Sequence, residues 1–168
     1  MDATYQIAEL TTDRVDQAYP LIGAVAPALD LAAWRAFCRS IIDRGDSRPD
    51  LDNVIVAMSP LGYIQGLCIT TVREHAEGDR ILDAPIFVVA SAADSAGVAA
   101  ELLDYLKAFG RAESCGCMRI WTLAHDNWTR RLSEGEIRRW DHGVTIILEP
   151  DARPPADADA LPAMFSWI

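Results

Sequence analysis

The stretch from Asp83 to Ala99 holds the residues whose types and spacing best fit a chemical task. An apolar strand over residues 86–90 runs into a turn of small residues and then into a helix that begins near Asp94. The first amides of a helix have no partner one turn earlier, and they lie at the positive end of the helix dipole. Small side chains let an anion approach those amides closely. The pattern therefore predicts a phosphate-binding turn, with Gly97 and Ala99 just inside the helix.

Length and composition limit the class of protein. The chain has 168 residues, of which 51% are hydrophobic and 24% charged, and this suits one globular domain with a core. Its net charge of −10 argues against a nucleic-acid partner, because the phosphates would be repelled. No segment approaches the roughly 20 apolar residues of a membrane span, and the start lacks the features of a signal peptide. We therefore expect a cytoplasmic protein with no membrane partner.

The cysteines indicate buried thiols rather than a metal centre. Cys38 and Cys68 lie in apolar patterns, as free core cysteines do. Cys115 and Cys117 form a lone pair, and the three histidines lie in separate segments. The sequence has no C-x-x-C pair, and its cysteines and histidines do not have the spacing of zinc ligands, so no metal is predicted.

Hydrophobic periodicity places a strand over residues 5–9 and then two helices. Thr12 or Asp13 could cap the first helix, which runs to about residue 25. Pro20 inside it should kink or split it. Asp30 is predicted to cap the second helix, in which apolar residues recur at helical spacing.

The pattern in the rest of the domain predicts short strands around one long helix. Three β-rich runs predict an antiparallel meander, at residues 53–58, 63–72 and 81–90. A helix over residues 95–111, with Gly110 near its end, leads to a strand at 118–123 that should pair in parallel by a right-handed crossover. A short polar helix at 127–134 and a hairpin of 137–140 with 144–149 follow. The fold class is α+β, with a mixed, mostly antiparallel central sheet flanked by helices.

This order of elements resembles the GCN5-related N-acetyltransferase (GNAT) superfamily over roughly residues 4 to 149. The family's pyrophosphate loop reads (Gln/Arg)-x-x-Gly-x-(Gly/Ala), and the matching residues here are Asp94-Ser-Ala-Gly97-Val-Ala99. Gly97 and Ala99 fit, whereas Asp94 replaces the neutral or cationic first residue. A carboxylate there repels phosphate, and it can also cap the helix and take up amides meant for the ligand.

The resemblance implies acetyl-CoA as cosubstrate and an amine, a small molecule or a protein, as acceptor. It implies cofactor contacts along the strand and in the loop, at Phe87, Val88, Val89, Asp94, Ser95, Ala96, Gly97, Val98 and Ala99. Asn127 is a further implied contact, although it could equally cap the short helix. Arg73, Arg80 or Arg130 could compensate for the charge of Asp94.

Two catalytic positions also follow from the resemblance. In several family members a glutamate on the strand before the loop is the general base, and Asp83 lies near that position. Its alternative role is that of a carboxylate at a turn or sheet edge. The family's acid is the Tyr of Asn-x-x-Ala-x-x-Leu-Tyr-Glu, and Ser133 stands in its place. A serine is a poor general acid at neutral pH.

The sequence leaves more than one function open. The favoured interpretation is an N-acetyltransferase that moves an acetyl group directly from acetyl-CoA to an amine. The alternative, favoured by Asp94 and Ser133, is a non-catalytic GNAT-like binding or regulatory module with weak or no CoA binding. A third is a structural domain that uses its apolar C-terminus for assembly.

The composition changes after residue 150. Residues 1–150 are predicted to form the GNAT-like acyl-CoA-binding domain, and residues 151–168 an Asp- and Pro-rich tail with an apolar end. Large apolar side chains fill that end, namely Leu161, Met164, Phe165, Trp167 and Ile168. We expect them to pack against the last hairpin or against a second subunit in a homodimer, because such groups gain by leaving water.

Overall fold

The computed structural model describes residues 5–45, 49–74, 79–121, 137–140 and 143–148, and these form a single mixed sheet with helices on both faces. The strands are β1 (Gln6–Glu9), β2 (Asn53–Met58), β3 (Ile64–Glu74), β4 (Arg80–Val89), β5 (Cys117–Trp121), β6 (Ile137–Trp140) and β7 (Gly143–Ile147). The helices are α1 (Val15–Val25), α2 (Leu31–Ile42) and α3 (Ser95–Ala112). The tail and the predicted short helix at 127–134 lie outside the described residues.

The sheet runs in the order β1-β2-β3-β4-β5-β7-β6. Its neighbours are antiparallel except β4 and β5, which pair in parallel across α3. The predicted meander, the parallel pairing and the last hairpin are therefore confirmed. The α+β fold class, mixed and mostly antiparallel, is confirmed with them.

A β-bulge interrupts β4 at the point where the sheet opens. Ile69 pairs with Ile86 and Thr71 with Asp83, so β4 has one residue more than β3 between these pairs. The two residues that oppose Thr70 are Ala84 and Pro85. A bulge bends its strand and can end pairing, and proline within a sheet is confined to such places and to edges. The last pair of β4 with β5 is indeed that of Ala84 with Ile120.

Two apolar layers hold the helices to the sheet. On one face, α3 packs Val98, Leu102 and Leu106 against β4 residues such as Leu82. On the other face, α1 and α2 cover β2 and β3, with Trp34 completely buried. The indole N–H of Trp34 donates to the carbonyl of Val15 at 2.8 Å, so its one polar group is satisfied.

The predicted buried thiols are confirmed. Cys38 and Cys68 are free and buried, one in each of the two layers. Burial raises the pKa of the Cys38 thiol to about 12 and raises that of Cys68 further. Both therefore stay protonated and act as small apolar core residues.

The start of the chain differs from its prediction at α1. Thr12 and Asp13 lie in a 3-10 turn, Thr12–Arg14, and Arg14 is the N-cap without a side-chain cap hydrogen bond. Pro20 does not split the helix, which is continuous from Val15 to Val25. The flanking residues Ala18, Leu21 and Ile22 are buried. Their packing offsets the hydrogen bond that the proline removes, which costs about 3 kcal/mol in an isolated helix. Asp30 caps α2 as predicted, accepting from the amide of Ala33.

Gly110 lies near the end of α3, as predicted, but it is a packing position within the helix and not the residue that ends it. The helix continues to Ala112 and ends where Ser114 adopts φ 57°. The amide of Cys115 donates to the carbonyl of Gly110, and that of Ser114 to Arg111, the pattern of a Schellman cap. A Cβ at Gly110 would lie 2.6 Å from Cδ1 of Leu148. The glycine therefore gives room to the chain that follows β7.

Among the described residues, none of the helices is both long enough and apolar enough to cross a bilayer.

Candidate active site

The central feature of the site is an opening between β4 and β5. In the described residues, the pairing of β5 with β4 ends at Ala84. β4 continues for five more residues and pairs there with β3, from Ile86 to Val89. Within the described part of the chain, no strand pairs with the other edge of this segment. An extended ligand can add to such an edge through main-chain hydrogen bonds.

The side chains of residues 86–89 pack into the core. Phe87 and Val89 pack toward α3, whereas Ile86 and Val88 pack toward α1 and α2. Of the predicted cofactor contacts on the strand, Phe87 and Val88 are buried and Val89 is half-buried. These three residues therefore have backbone rather than side chains to offer a ligand.

The first turn of α3 follows directly after this edge. Asp94 is the N-cap, and its Oδ1 accepts from the amide of Gly97 at 2.9 Å. The hydroxyl of Tyr5 donates to the other oxygen, Oδ2, at 3.1 Å. Burial, and then this hydrogen bond, raises the pKa of the Tyr5 hydroxyl. Asp94 therefore caps α3, which is one of the roles expected for it from the sequence.

The carboxylate of Asp94 fills the space that Gly97 leaves open. A Cβ at Gly97 would collide with Asp94. In the family that the sequence resembles, a phosphate is expected at this place, so the carboxylate and a phosphate would compete for it. The amides of Ser95 and Ala96 belong to the same first turn, where no intrahelical acceptor exists. They remain as donors to an anion.

The predicted loop residues divide into two groups by exposure. Asp94 and Ser95 are exposed, and Ala96 and Gly97 half-buried, so these four border solvent. Val98 and Ala99 are buried in the layer between α3 and the sheet. The side chains of these two residues hold the helix in place.

Asp83 lies in the middle of the sheet, one residue before the last pair of β4 with β5, and not at a turn or edge. Its side chain is buried, and both oxygens accept hydrogen bonds. Oδ1 accepts from Nε of Arg119 at 3.0 Å and from the indole of Trp121 at 2.9 Å. Oδ2 accepts from Nη2 of Arg119 at 3.0 Å and lies 3.4 Å from Nε of Arg73. The residue pairs in register with Arg119 across the two parallel strands.

This arrangement holds the carboxylate of Asp83 in a fixed position. Hydrogen bonding to Asp83 is the main cause that raises the pKa of Arg119. The guanidinium of Arg119 also lies 5.3 Å from the ring centroid of Trp121, within cation–π range. Three hydrogen bonds and the ion pair with Arg73 compete with an ammonium group for the oxygens of Asp83. Its role as base stays a prediction.

The remaining predicted site residues either lie outside the described residues or lie far from the loop. Ser133, Asn127 and Arg130 lie outside the described residues. Arg73 lies near the end of β3 and Arg80 at the start of β4. They form ion pairs with Asp83 and Glu113 respectively, and both are far from the start of α3. Compensation of Asp94 by either arginine is therefore wrong, because the length of β4 separates them from the loop.

Arg119 and Trp121 are functional candidates that the sequence interpretation missed. The signal was present, since an aspartate inside a buried strand needs a partner of opposite charge. Arg119-Ile-Trp121 alternates in the strand expected beside it, so both polar side chains fall on one face.

Solved structures of known proteins share the fold of this chain. A protein described as a probable acetyltransferase matches with a TM-score of 0.62 at 17% identity, covering 96% of this chain and 99% of that chain. The aminoglycoside N-acetyltransferase AAC(6')-Iy in complex with CoA matches with a TM-score of 0.59 at 16% identity, covering 76% and 82%. A transcriptional regulator from Bacillus halodurans C-125 matches with a TM-score of 0.55 at 17% identity, covering 96% and 99%. This chain has the GNAT fold.

The GNAT fold is established by shape and not by sequence. No protein-family model and no curated protein matches the chain. Identities of this size establish the fold alone, and a fold hosts more than one function. The function of this domain depends on its opening, its loop and the cluster at Asp83.

Proposed function

We propose that this protein binds acetyl-CoA in the opening between β4 and β5 and transfers the acetyl group directly to an amine. The observation that carries the proposal is the bulge at Ala84 and Pro85, where the described pairing of β4 with β5 ends on the strand that leads to the N-terminus of α3. The pantetheine arm would lie along residues 86–89 and the diphosphate over residues 95–97. The likeness to an acetyltransferase solved with CoA supports this choice of ligand.

The reaction needs few groups from the protein. The acceptor nitrogen attacks the thioester carbonyl, a C–N bond forms, the C–S bond breaks, and the CoA thiolate takes up a proton. Backbone amides at the edge of β4 can donate to the developing oxyanion. Asp83 and Ser133 stand as candidates for the base and the acid. Because Asp83 is held by two arginines, we expect the amine to reach the site already neutral or to lose its proton to water.

Asp94 makes the predicted affinity for CoA modest. Its carboxylate already uses the amide of Gly97 and would repel the diphosphate. Binding therefore requires the side chain to turn away from Gly97 and to release Tyr5.

The second candidate function is a GNAT-fold module that does not catalyse transfer. Two observations favour it: Asp94 occupies the loop, and both oxygens of Asp83 are engaged. One structural neighbour is described as a transcriptional regulator. Such a module would bind CoA weakly or not at all.

Hydrogen exchange and a turnover assay together separate the two functions. With saturating CoA, we expect slower exchange in peptides that cover residues 86–89 and 95–97, and unchanged exchange in the hairpin of β2 and β3. Thiol release from acetyl-CoA with a panel of amines then tests turnover. Protection without turnover would favour the binding module, and neither protection nor turnover would refute the acyl-CoA proposal.

A further inference from the structure

We propose that the hydroxyl of Tyr5 holds Asp94 in an autoinhibitory position at the start of α3, so that Tyr5 lowers the affinity of this site for CoA and CoA binding in turn loosens β1. This inference rests on the proposed function, since it describes the regulation of the same anion site. It concerns one hydrogen bond, from the Tyr5 hydroxyl to Oδ2 of Asp94, which we call the Tyr5–Asp94 contact.

The Tyr5–Asp94 contact joins the first strand to the N-terminus of α3. Tyr5 directly precedes β1, the first strand in the order of the sheet, and Asp94 lies 89 residues later in the chain. The alternation along β1 puts Tyr5 and Ile7 on the face that α3 covers. There the ring of Tyr5 is buried in the same apolar layer as Val98. The packing of the ring therefore directs the hydroxyl toward the helix start from the core side.

The Tyr5–Asp94 contact restrains the carboxylate more than capping alone requires. One oxygen of Asp94 accepts from the amide of Gly97 at 2.9 Å, and the other accepts from Tyr5 at 3.1 Å. A hydrogen bond on each oxygen restrains both torsions of the side chain. Among the described residues, the side chain of Asp30, the cap of α2, accepts from the amide of Ala33 alone. The hydroxyl of Tyr5 is therefore an addition to the cap, and it opposes the turn of the carboxylate that a phosphate needs.

The hydroxyl of Tyr5 is suited to this role because it stays a donor. Burial, and then the hydrogen bond and charge of Asp94, raise its pKa. The hydrogen bond of a phenol to a carboxylate is charge-assisted and therefore strong. The phosphates of a diphosphate ester are weaker bases than a carboxylate, so a hydroxyl that moved from Asp94 to CoA would donate less strongly. The exchange of acceptors therefore weakens the binding of CoA.

Reciprocity extends the effect to β1. This strand has four residues and lies at the end of the sheet order, where it pairs with β2. Elements with few contacts open more easily than the core of a sheet, and the Tyr5–Asp94 contact ties the start of β1 to α3. Because the contact and the ligand oppose each other by the same free energy in both directions, CoA that breaks the contact should let β1 open more often.

A double-mutant cycle measures the Tyr5–Asp94 contact directly. Calorimetry gives the affinities of CoA and of inorganic pyrophosphate for the native protein, Tyr5→Phe, Asp94→Ser and the double variant. Asp94→Ser keeps a capping hydroxyl but removes the oxygen that Tyr5 contacts. We expect Tyr5→Phe to bind both ligands about fivefold tighter than the native protein does, as the net contribution of one hydrogen bond allows. In the Asp94→Ser background the same substitution should have no effect, because its partner is absent.

Tyr19→Phe is the matched control. The hydroxyl of Tyr19 donates to the carbonyl of Leu29 at 3.1 Å, the same length as the Tyr5–Asp94 contact, in the layer on the other face of the sheet. Its loss should leave the affinities for CoA and pyrophosphate unchanged. Circular dichroism and the melting temperature of each variant check that the fold is kept.

Hydrogen exchange tests the effect on β1. With saturating CoA, peptides that cover residues 5–9 of the native protein should exchange faster than they do without ligand. Tyr5→Phe lacks the contact from the start, so CoA should change exchange in these peptides less. A loss of packing alone would not depend on the ligand in this way. Unchanged or slower exchange at residues 5–9 in the native protein would overturn the link to β1.

The outcomes of the calorimetry separate this inference from the proposed function. Affinities of Tyr5→Phe no higher than those of the native protein, an equal gain in Tyr19→Phe, or an equal gain in the Asp94→Ser background overturns the inference. Pyrophosphate that binds tighter to Tyr5→Phe while CoA neither binds nor turns over would support the inference and refute the acetyl-CoA proposal. CoA that binds and turns over equally with and without the Tyr5 hydroxyl would do the reverse, and no binding of either ligand to any variant would refute both.

Discussion

At the scale of single residues, Asp94 controls how well an anion can bind at the start of α3. Asp94→Gln removes a negative charge from the anion site and frees the amide of Gly97. We expect CoA to bind about fivefold tighter, since a charge at a partly exposed helix end contributes on the order of 1 kcal/mol. Isothermal calorimetry measures the change.

A second helix cap supplies the control for Asp94. Asp30 caps α2 through the amide of Ala33, in the same way that Asp94 caps α3. Asp30→Gln should destabilise a helix similarly and leave CoA affinity as it is. An affinity of Asp94→Gln that is no higher than that of the native protein would show that the carboxylate does not compete with phosphate.

Asp83 is the residue whose loss should cost the most stability in the site. Asp83→Asn leaves Arg119 and Arg73 without their shared counter-ion at a buried position. Breaking a buried pair costs about 3–5 kcal/mol, and the partial exposure of both arginines lowers our expectation to about 2–3 kcal/mol. Urea denaturation gives the free energy of unfolding.

The exposed pair of Asp16 and Arg35 is the comparison for Asp83. Both of its side chains are largely in water, so Asp16→Asn should change stability far less than Asp83→Asn. If the two variants lose equal stability, the cluster at Asp83 is not the buried network described above.

At the scale of elements, Gly66 sets the distance between β3 and α3. A Cβ at this position would lie 2.7 Å from Cδ1 of Leu102 and 2.8 Å from Cγ1 of Val98. Gly66→Ala should push α3 away from the sheet and destabilise the protein by about 1–3 kcal/mol, as overpacking does. Because α3 carries the anion site, CoA affinity should fall as well.

Gly116 is the matched control for Gly66. Nothing lies within 4 Å of a Cβ built there, and its φ is not positive. Gly116→Ala should be neutral or stabilise by up to about 1 kcal/mol, because the unfolded chain loses freedom. Thermal melts of the two variants compare them, and equal destabilisation would contradict a packing role for Gly66.

The elements were largely predictable from the sequence, because periodicity and caps are local signals. The meander, α3 and the cap at Asp30 follow from residues close together in the chain. The bulge at Pro85 was not predicted, because it exists only relative to the register of β3. The partners of Asp83 were missed for the same reason, since Arg119 lies 36 residues away and meets it only through the parallel pairing.

At the scale of the whole molecule, the apolar end of the tail is expected to dock, as its composition predicts. A chain that stops at Asp151 loses several large apolar side chains, each of which contributes roughly 1.5–3 kcal/mol when buried. We expect a lower melting temperature, or a smaller particle in sedimentation if the contact joins two subunits. A truncated chain that matches the full chain in both measurements would rule out docking.

The fold of the whole molecule matches that of solved acetyltransferases, but the loop at the start of α3 differs from the family's pattern. The GNAT fold supplies the opening, whereas Asp94 puts a carboxylate at the anion site. This carboxylate predicts modest affinity for CoA. That expectation requires that CoA bind in the opening.

Calorimetric titration of CoA into the native protein, Gly97→Glu and Gly116→Glu tests that requirement most directly. A side chain at Gly97 collides with the cap and adds charge at the anion site, whereas Gly116 lies in open space at the other end of α3. We expect sub-millimolar binding to the native protein and to Gly116→Glu, and none to folded Gly97→Glu. Absence of binding to the native protein at millimolar CoA, or equal binding to all three, would contradict it.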